Sequence, residues 1–146
     1  MINSLSVEGL KSIDKIKMDF NNINILVGTN SSGKSTLIKS ILLASQNLSE
    51  INCPLNGNLI SLGDFREVRN FITNAQAIKI GIDLVDCFHN ITIVENEENK
   101  EDSCRLSYND SDGKNIDKVK KHLLIDEGLY YLSSSRIGHK DIYEKN

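Results

Sequence analysis

Residues Gly28-Thr29-Asn30-Ser31-Ser32-Gly33-Lys34-Ser35-Thr36 satisfy the pattern G-x-x-x-x-G-K-[ST], and no other feature of the chain restricts its fold so strongly. Such a loop works between a strand and the start of a helix, because its backbone N–H groups converge on an anion while the unpaired donors of the first helical turn point the same way. The flanks agree with that demand. Upstream, Ile23-Asn24-Ile25-Leu26-Val27 is a short, mostly apolar, β-branched run ending at a glycine, which predicts a central strand buried on both faces. Downstream, Leu37, Ile38, Ile41, Leu42, Ala44, Ser45 and Leu48 recur at three- and four-residue spacing, which predicts one amphipathic helix from Lys34 to about Leu48. Average residue frequencies produce the bare pattern by chance in roughly 1% or fewer of chains this long, and the flanks lower that further.

The residue types explain the chemistry. Gly28 and Gly33 permit backbone geometry that a Cβ obstructs, so the N–H groups from Asn30 through Ser31, Ser32, Gly33 and Lys34 to Ser35 can form an anion nest. The helix start adds a favourable interaction of roughly 0.3–2 kcal/mol per anionic group. Lys34 is placed to reach the β- and γ-phosphates of a nucleotide and is the expected catalytic cation, and the Ser35 hydroxyl suits magnesium. Thr36 supports the loop or the α-phosphate. The expected ligand is the triphosphate of a nucleotide, ATP with Mg2+.

The rest of the chain reads as follows. Ile2 to Val7 and Lys15 to Phe20 alternate polar and apolar around a tight element at Gly9 to Ile13, predicting an antiparallel pair. Cys53 to Asn58, with the only proline, is a loop leading into Leu59 to Gly63, and Asp64 to Asn74 is a short helix. Ala77 to Val85, Asn90 to Val94 and Cys104 to Tyr108 alternate as an antiparallel meander. Ile116 to Leu124 is helical and Leu129 to Ser133 is a strand. Apolar and charged fractions of 39% and 25% describe an ordinary globular domain, and a net charge of −3 gives no general pull towards nucleic acid or membrane. Cys53, Cys87 and Cys104 are widely spaced and odd in number, so they read as reduced thiols. No secretory signal and no run of 18 apolar residues is present, which predicts a cytoplasmic protein with no membrane partner.

The form Gly-x-Asn-x-Ser-Gly-Lys-Ser-Thr, the element Gly9-Leu10-Lys11-Ser12, and a phosphate loop within the first forty residues together resemble ABC-like ATPases of the SMC, RecF and OLD group, which includes prokaryotic AAA-family ATPases linked to phage defence. Leu55 to Phe65 and Tyr131 to Gly138 are similar to the OLD-like subgroup, so the likeness covers nearly the whole chain. The resemblance implies an α/β P-loop NTPase fold: the N-terminal lobe of an ABC-type ATPase head, with a mixed core sheet and an antiparallel β-subdomain. Residues 1–146 then form a single lobe, incomplete as a head, from a truncated frame or a longer chain. It also implies that Asn30 belongs to the nucleotide site and that Lys11 and Ser12 contact phosphate. Without the resemblance, Lys11 and Ser12 read equally well as a solvated turn. The implied partners are a second copy or a partner ATPase head, with DNA or a nuclease beyond.

Such ATPases use an apolar strand ending in Asp-Glu, a signature loop from a second protomer and a late histidine. No signature of the LSGGQ type stands in the sequence. Leu123-Leu124-Ile125-Asp126-Glu127 imitates the acidic motif, with Asp126 as metal partner and Glu127 as base, but it follows Lys120-Lys121-His122 and also reads as an exposed helix end. Arg136, in a Ser-rich turn, either faces phosphate or a partner or is an ordinary surface arginine. Asn99 to Asp102 and Asp110 to Gly113 fit guanine-nucleotide motifs in the wrong order, which argues against a GTPase, and no arginine-rich lid points to a small-molecule kinase. Two expectations follow: ATP binding with hydrolysis completed by further elements, or a non-catalytic nucleotide-sensing module that regulates a partner.

Overall fold

The computed structural model describes residues 1–48, 54–96, 104–108, 116–124 and 127–132. Strands β1 (Ile2–Leu10) and β2 (Ile13–Asp19) form an antiparallel hairpin closed by Lys11 and Ser12, with Leu10 opposite Ile13. Helix α1 (Lys34–Gln46) follows the glycine loop, and one short turn, α2 (Phe65–Val68), precedes β3 (Ala77–Leu84), β4 (Phe88–Glu95) and β5 (Cys104–Tyr108). Helix α3 (Ile116–Leu123) comes last. The strands make one five-stranded sheet in the order β2-β1-β3-β4-β5, antiparallel at every junction. The hairpin and the meander, separate in sequence, are thus a single sheet.

Alternation fixes which face is buried. In register across the sheet lie Leu5, Ile82 and His89, then Val7, Ile80 and Ile91, then Ile78, Ile93 and Leu106. All but Leu106 are buried, and Leu106 packs against them. Burial of each such aliphatic side chain contributes about 1.5–3 kcal/mol. Leu37, Leu43, Ala44 and Leu48 of the α1 segment join the same core, whereas Ile38, expected on that face, is exposed. The buried polar end of α1 holds the next loop: Gln46 Oε1 accepts from the N–H groups of Leu59 and Ile60 at 3.1 and 2.9 Å, and Asn47 Nδ2 donates to Pro54 O at 2.9 Å. Asn56 Oδ1 then accepts from Leu62 and Gly63 N–H, closing the predicted loop as a turn around one amide.

The opposite face carries a charged row. Lys79 Nζ donates to Glu8 at 3.0 Å across β1 and β3, and Lys15 Nζ lies 3.4 Å from the same carboxylate across β1 and β2. The Lys79 hydrogen bond, with Lys15 assisting, lowers the Glu8 carboxyl below its ordinary range against a smaller opposing effect of burial. A depressed carboxylate contributes stability above its unfolded pKa and loses it as pH falls through the folded one. Thermal unfolding of the protein and of Glu8→Gln should therefore give midpoints that differ at neutral pH and converge in acid; the difference is small because all three side chains are exposed or nearly so.

Three expectations need correction. Ile23 to Val27 is not a buried central strand: Ile23, Ile25 and Val27 are 82%, 80% and 84% exposed, and only Leu26 packs against the core. The segment's ends are held by other elements: Phe20 N–H donates to Asn3 O near the start of β1, and Gly33, in the glycine loop, lies beside Ser12 past the far end of that strand. Among the described residues no strand pairs with it, and the described sheet contains no parallel pair of the expected mixed core. In this form of the chain Ile25→Ser should shift the unfolding midpoint by no more than about 0.5 kcal/mol equivalent in denaturant titration; a buried strand position would lose several times that.

The other two corrections are local. The helix expected from Asp64 to Asn74 is confined to Phe65–Val68, because Asn70 turns the chain by accepting at Oδ1 from Ile72 and Thr73 N–H. Of the strand expected at Leu129 to Ser133, only Leu129 makes a bridge, and Ser133 lies outside the described residues, as do Cys53, Asn99 to Asp102 and Asp110 to Gly113. Cys87 and Cys104 are buried thiols. No described helix is long and apolar enough to cross a membrane.

Candidate functional site

Lys34 opens α1, and the residue before it, Gly33, is its N-cap at φ 93°. A Cβ on Gly33 would stand in ordinary contact with Ser12 Oγ at 3.4 Å and Ile13 at 3.5 Å, so the loop passes against the β1–β2 turn, and it is the left-handed φ that favours glycine there. Ser31 is also left-handed, at φ 65°. Left-handed backbone at Ser31 and Gly33, just ahead of the right-handed helix, is compatible with an anion nest, in which successive N–H groups turn to one side. The helix shows no side-chain cap and no acidic residue in its first turn, so nothing on α1 itself offsets the positive end of its dipole.

These elements enclose an open cavity of about 530 Å³ lined by Lys11, Ser12 and the stretch from Asn30 to Thr36. Its lining carries two ammonium groups, four hydroxyls from serine besides that of Thr36, and no carboxylate. Lys34 Nζ lies over the loop, donating to Gly28 O at 2.8 Å, Thr29 O at 2.6 Å and Ser32 Oγ at 3.3 Å. Carbonyl oxygens are neutral acceptors, so an anion in the cavity can compete for the ammonium by forming stronger charge-assisted bonds. Ser35 is exposed at the cavity and Thr36 half-buried.

The structure brings together every residue named for the phosphate site except Gly28, which stands just behind the cavity as an acceptor for Lys34. Lys11 and Ser12, well upstream of the loop in sequence, arrive there because the turn that follows β1 lies against the loop at Gly33. Lys11 is held at φ 50°, a conformation a lysine adopts at a cost of about 1 kcal/mol. What holds it is invisible to motif reading: Lys11 N–H donates to Val68 O at 2.7 Å, and Asn70 N–H donates to Gly9 O at 2.8 Å. The stretch after α2 thus buttresses the turn. The Asn-Phe-Ile-Thr-Asn composition signals a turn there, but nothing in it signals which strand end that turn supports.

Of the acidic motif, Glu127 is a described residue and does not line this cavity. Glu127 is exposed in the turn after α3, and its neighbour Gly128 lines a separate cavity with Met1 and Ile2, at the beginning of β1. The phosphate-loop cavity is at the end of that strand, about 26 Å away for eight residue steps. Leu123 closes the short helix α3, and the N–H groups of Gly128 and Leu129 both return to Leu124 O at 3.1 Å. Asp126 and Arg136 lie outside the described residues. Among the described residues no cluster of three or more His, Cys, Asp or Glu side chains is arranged to hold a metal ion.

A search of curated proteins found no significant match. The sequence profile of the AAA ATPase domain matches residues 1–145, which takes in the loop, the β1–β2 turn and the whole described sheet. On that match the chain belongs to the AAA ATPase domain family.

Proposed function

We propose that the cavity at the end of β1 binds the triphosphate of ATP, and that the chain is an ABC-like first lobe of the SMC, RecF and OLD type. The observation that carries the reading is the convergence of Lys11 and Ser12 with the loop residues Asn30 to Thr36 on one cavity with two ammonium groups and no carboxylate. Backbone N–H groups of the loop receive the phosphate oxygens, Lys34 exchanges its carbonyl partners for them, and Lys11 and Ser12 close the side opposite α1. A single serine, Ser35, fits magnesium only as one ligand among phosphate oxygens and waters, the mode that ion prefers. Magnesium so held neutralises phosphate charge.

Turnover needs more than this cavity offers. Phosphoryl transfer relies on a group that positions water and on cations that stabilise the transition state, and Glu127 stands at the other end of the sheet. The exposed row Ile23, Ile25 and Val27 supports completion by a further apolar element, from a second copy or a partner ATPase head. Coupling to DNA or to a nuclease rests on the family likeness alone. The position of Glu127 equally favours a second reading, a module that binds ATP and signals through shape without hydrolysing it. Calorimetric titration with MgATP tests the shared core of both: saturable binding to one site is expected, and no heat of binding at millimolar nucleotide would overturn it. Phosphate release by the same protein then separates the two readings.

A further inference from the structure

The phosphate cavity has no surface for a base. Its lining is hydroxyl, amide, ammonium and backbone, with no aromatic and no large aliphatic side chain. A purine needs an apolar or aromatic face, and the structure provides one on the element that buttresses the Lys11 turn. Phe71 and Ile72 are 77% and 78% exposed, side by side at the tip of the turn 71–74. Large apolar side chains so fully in water are unfavourable unless something covers them.

This tip is held rigidly. Asn70 is buried, and its Oδ1 accepts from Ile72 and Thr73 N–H at 3.0 and 3.1 Å. Ala75 N–H donates to Asn70 O at 2.9 Å, and Arg69 Nη1 donates to Asn74 Oδ1 at 2.7 Å across the base of the turn. The same stretch is tied to the wall of the cavity. Leu10 bridges Arg69, Lys11 N–H reaches Val68 O, and Asn70 N–H reaches Gly9 O. A preorganised apolar tip is therefore anchored, residue against residue, beside the turn that supplies Lys11 to the phosphate cavity.

We propose that Phe71, flanked by Ile72, is the platform on which the base of the nucleotide stacks. The proposal rests on the phosphate site described above and extends it from phosphate to base. Asn70 spends its carbonyl oxygen on the turn, so the platform offers a face and not a hydrogen-bond code. Adenine and guanine nucleotides should then bind with similar affinity, and pyrimidine nucleotides less tightly.

The chain contains no tryptophan, so Phe71→Trp creates a single fluorescent reporter. Its emission should change on addition of MgATP and stay unchanged with inorganic tripolyphosphate and magnesium. Phe71→Ala, at an exposed position, should keep the unfolding midpoint and bind ATP roughly tenfold more weakly, as expected for loss of one aromatic stacking partner, with tripolyphosphate affinity unchanged. Equal ATP affinity in Phe71→Ala and the parent overturns the platform while leaving the phosphate site intact. So does a parallel loss of both ligands, which would make Phe71 a support for the loop. Failure of the parent protein to bind either ligand removes the phosphate site itself.

Discussion

Lys34→Ala should lower affinity for MgATP by roughly a hundredfold or more, since hydrogen bonds to charged groups contribute about 1.5–3 kcal/mol each and this ammonium serves more than one phosphate oxygen. The fold should be little affected. Lys34 Nζ is bonded only within the exposed loop, to Gly28 O, Thr29 O and Ser32 Oγ, and α1 is stabilised elsewhere, by Leu37, Leu43 and Ala44 in the core. Lys34→Met, which keeps most of the stem and removes the charge, separates the two contributions: it should fold as the parent does and fail to bind. Affinity measured by calorimetry and the midpoint measured in denaturant together decide the matter. Binding unchanged in either variant would show that the loop holds no triphosphate.

Gly9→Ala is expected to destabilise the protein by about 2–4 kcal/mol, because two costs coincide. Gly9 is at φ 74°, where an L side chain is strained, and a Cβ there would stand 2.4 Å from the backbone oxygen of Ala77 and 3.1 Å from Ala75 Cβ. Neither neighbour is a flexible tip that can swing aside. The adjustment must separate β1 from the start of β3, and it must also disturb the Asn70 N–H to Gly9 O bond and so the footing of Lys11. ATP affinity should therefore fall together with stability, in contrast to Lys34→Met, which loses binding alone. A midpoint within experimental scatter of the parent would contradict the packing described at this junction.

The two variants mark the difference between what is local in this protein and what is not. The glycine loop, the helix it opens and the alternation of each strand are written in neighbouring residues, since turn geometry, the three- and four-residue helical spacing and the two-residue pleat each act within a few positions. Those features were legible for β1 to β5, with ends displaced by a residue or two except at β1, which runs past the expected Val7 to Leu10. The error at Ile23 to Val27 has a physical origin. An apolar β-branched run reports that a segment favours an extended, covered conformation, but cover depends on a partner strand, and the run itself carries no information about whether one is alongside. Here Phe20 and the loop hold its two ends, and no described strand pairs with it.

The acidic run 123–127 shows the same limit from the other side. Its composition fits a catalytic strand end, yet Gly128, the residue after it, lines a cavity with Met1 and Ile2 at the beginning of β1, while the glycine loop lies against the turn at the end of that strand. Sequence alone determined the glycine loop and its place ahead of α1, because positive-φ backbone and a helix start are set by consecutive residues. Tertiary structure decided what surrounds it: that Lys11 and Ser12 share its cavity, that Val68 and Asn70 hold that turn, that Phe71 is exposed on the same stretch, and that Glu127 does not line the cavity. These are contacts between residues tens of positions apart, and they are set by how strands pair and how long they are, quantities to which no single stretch of sequence has access.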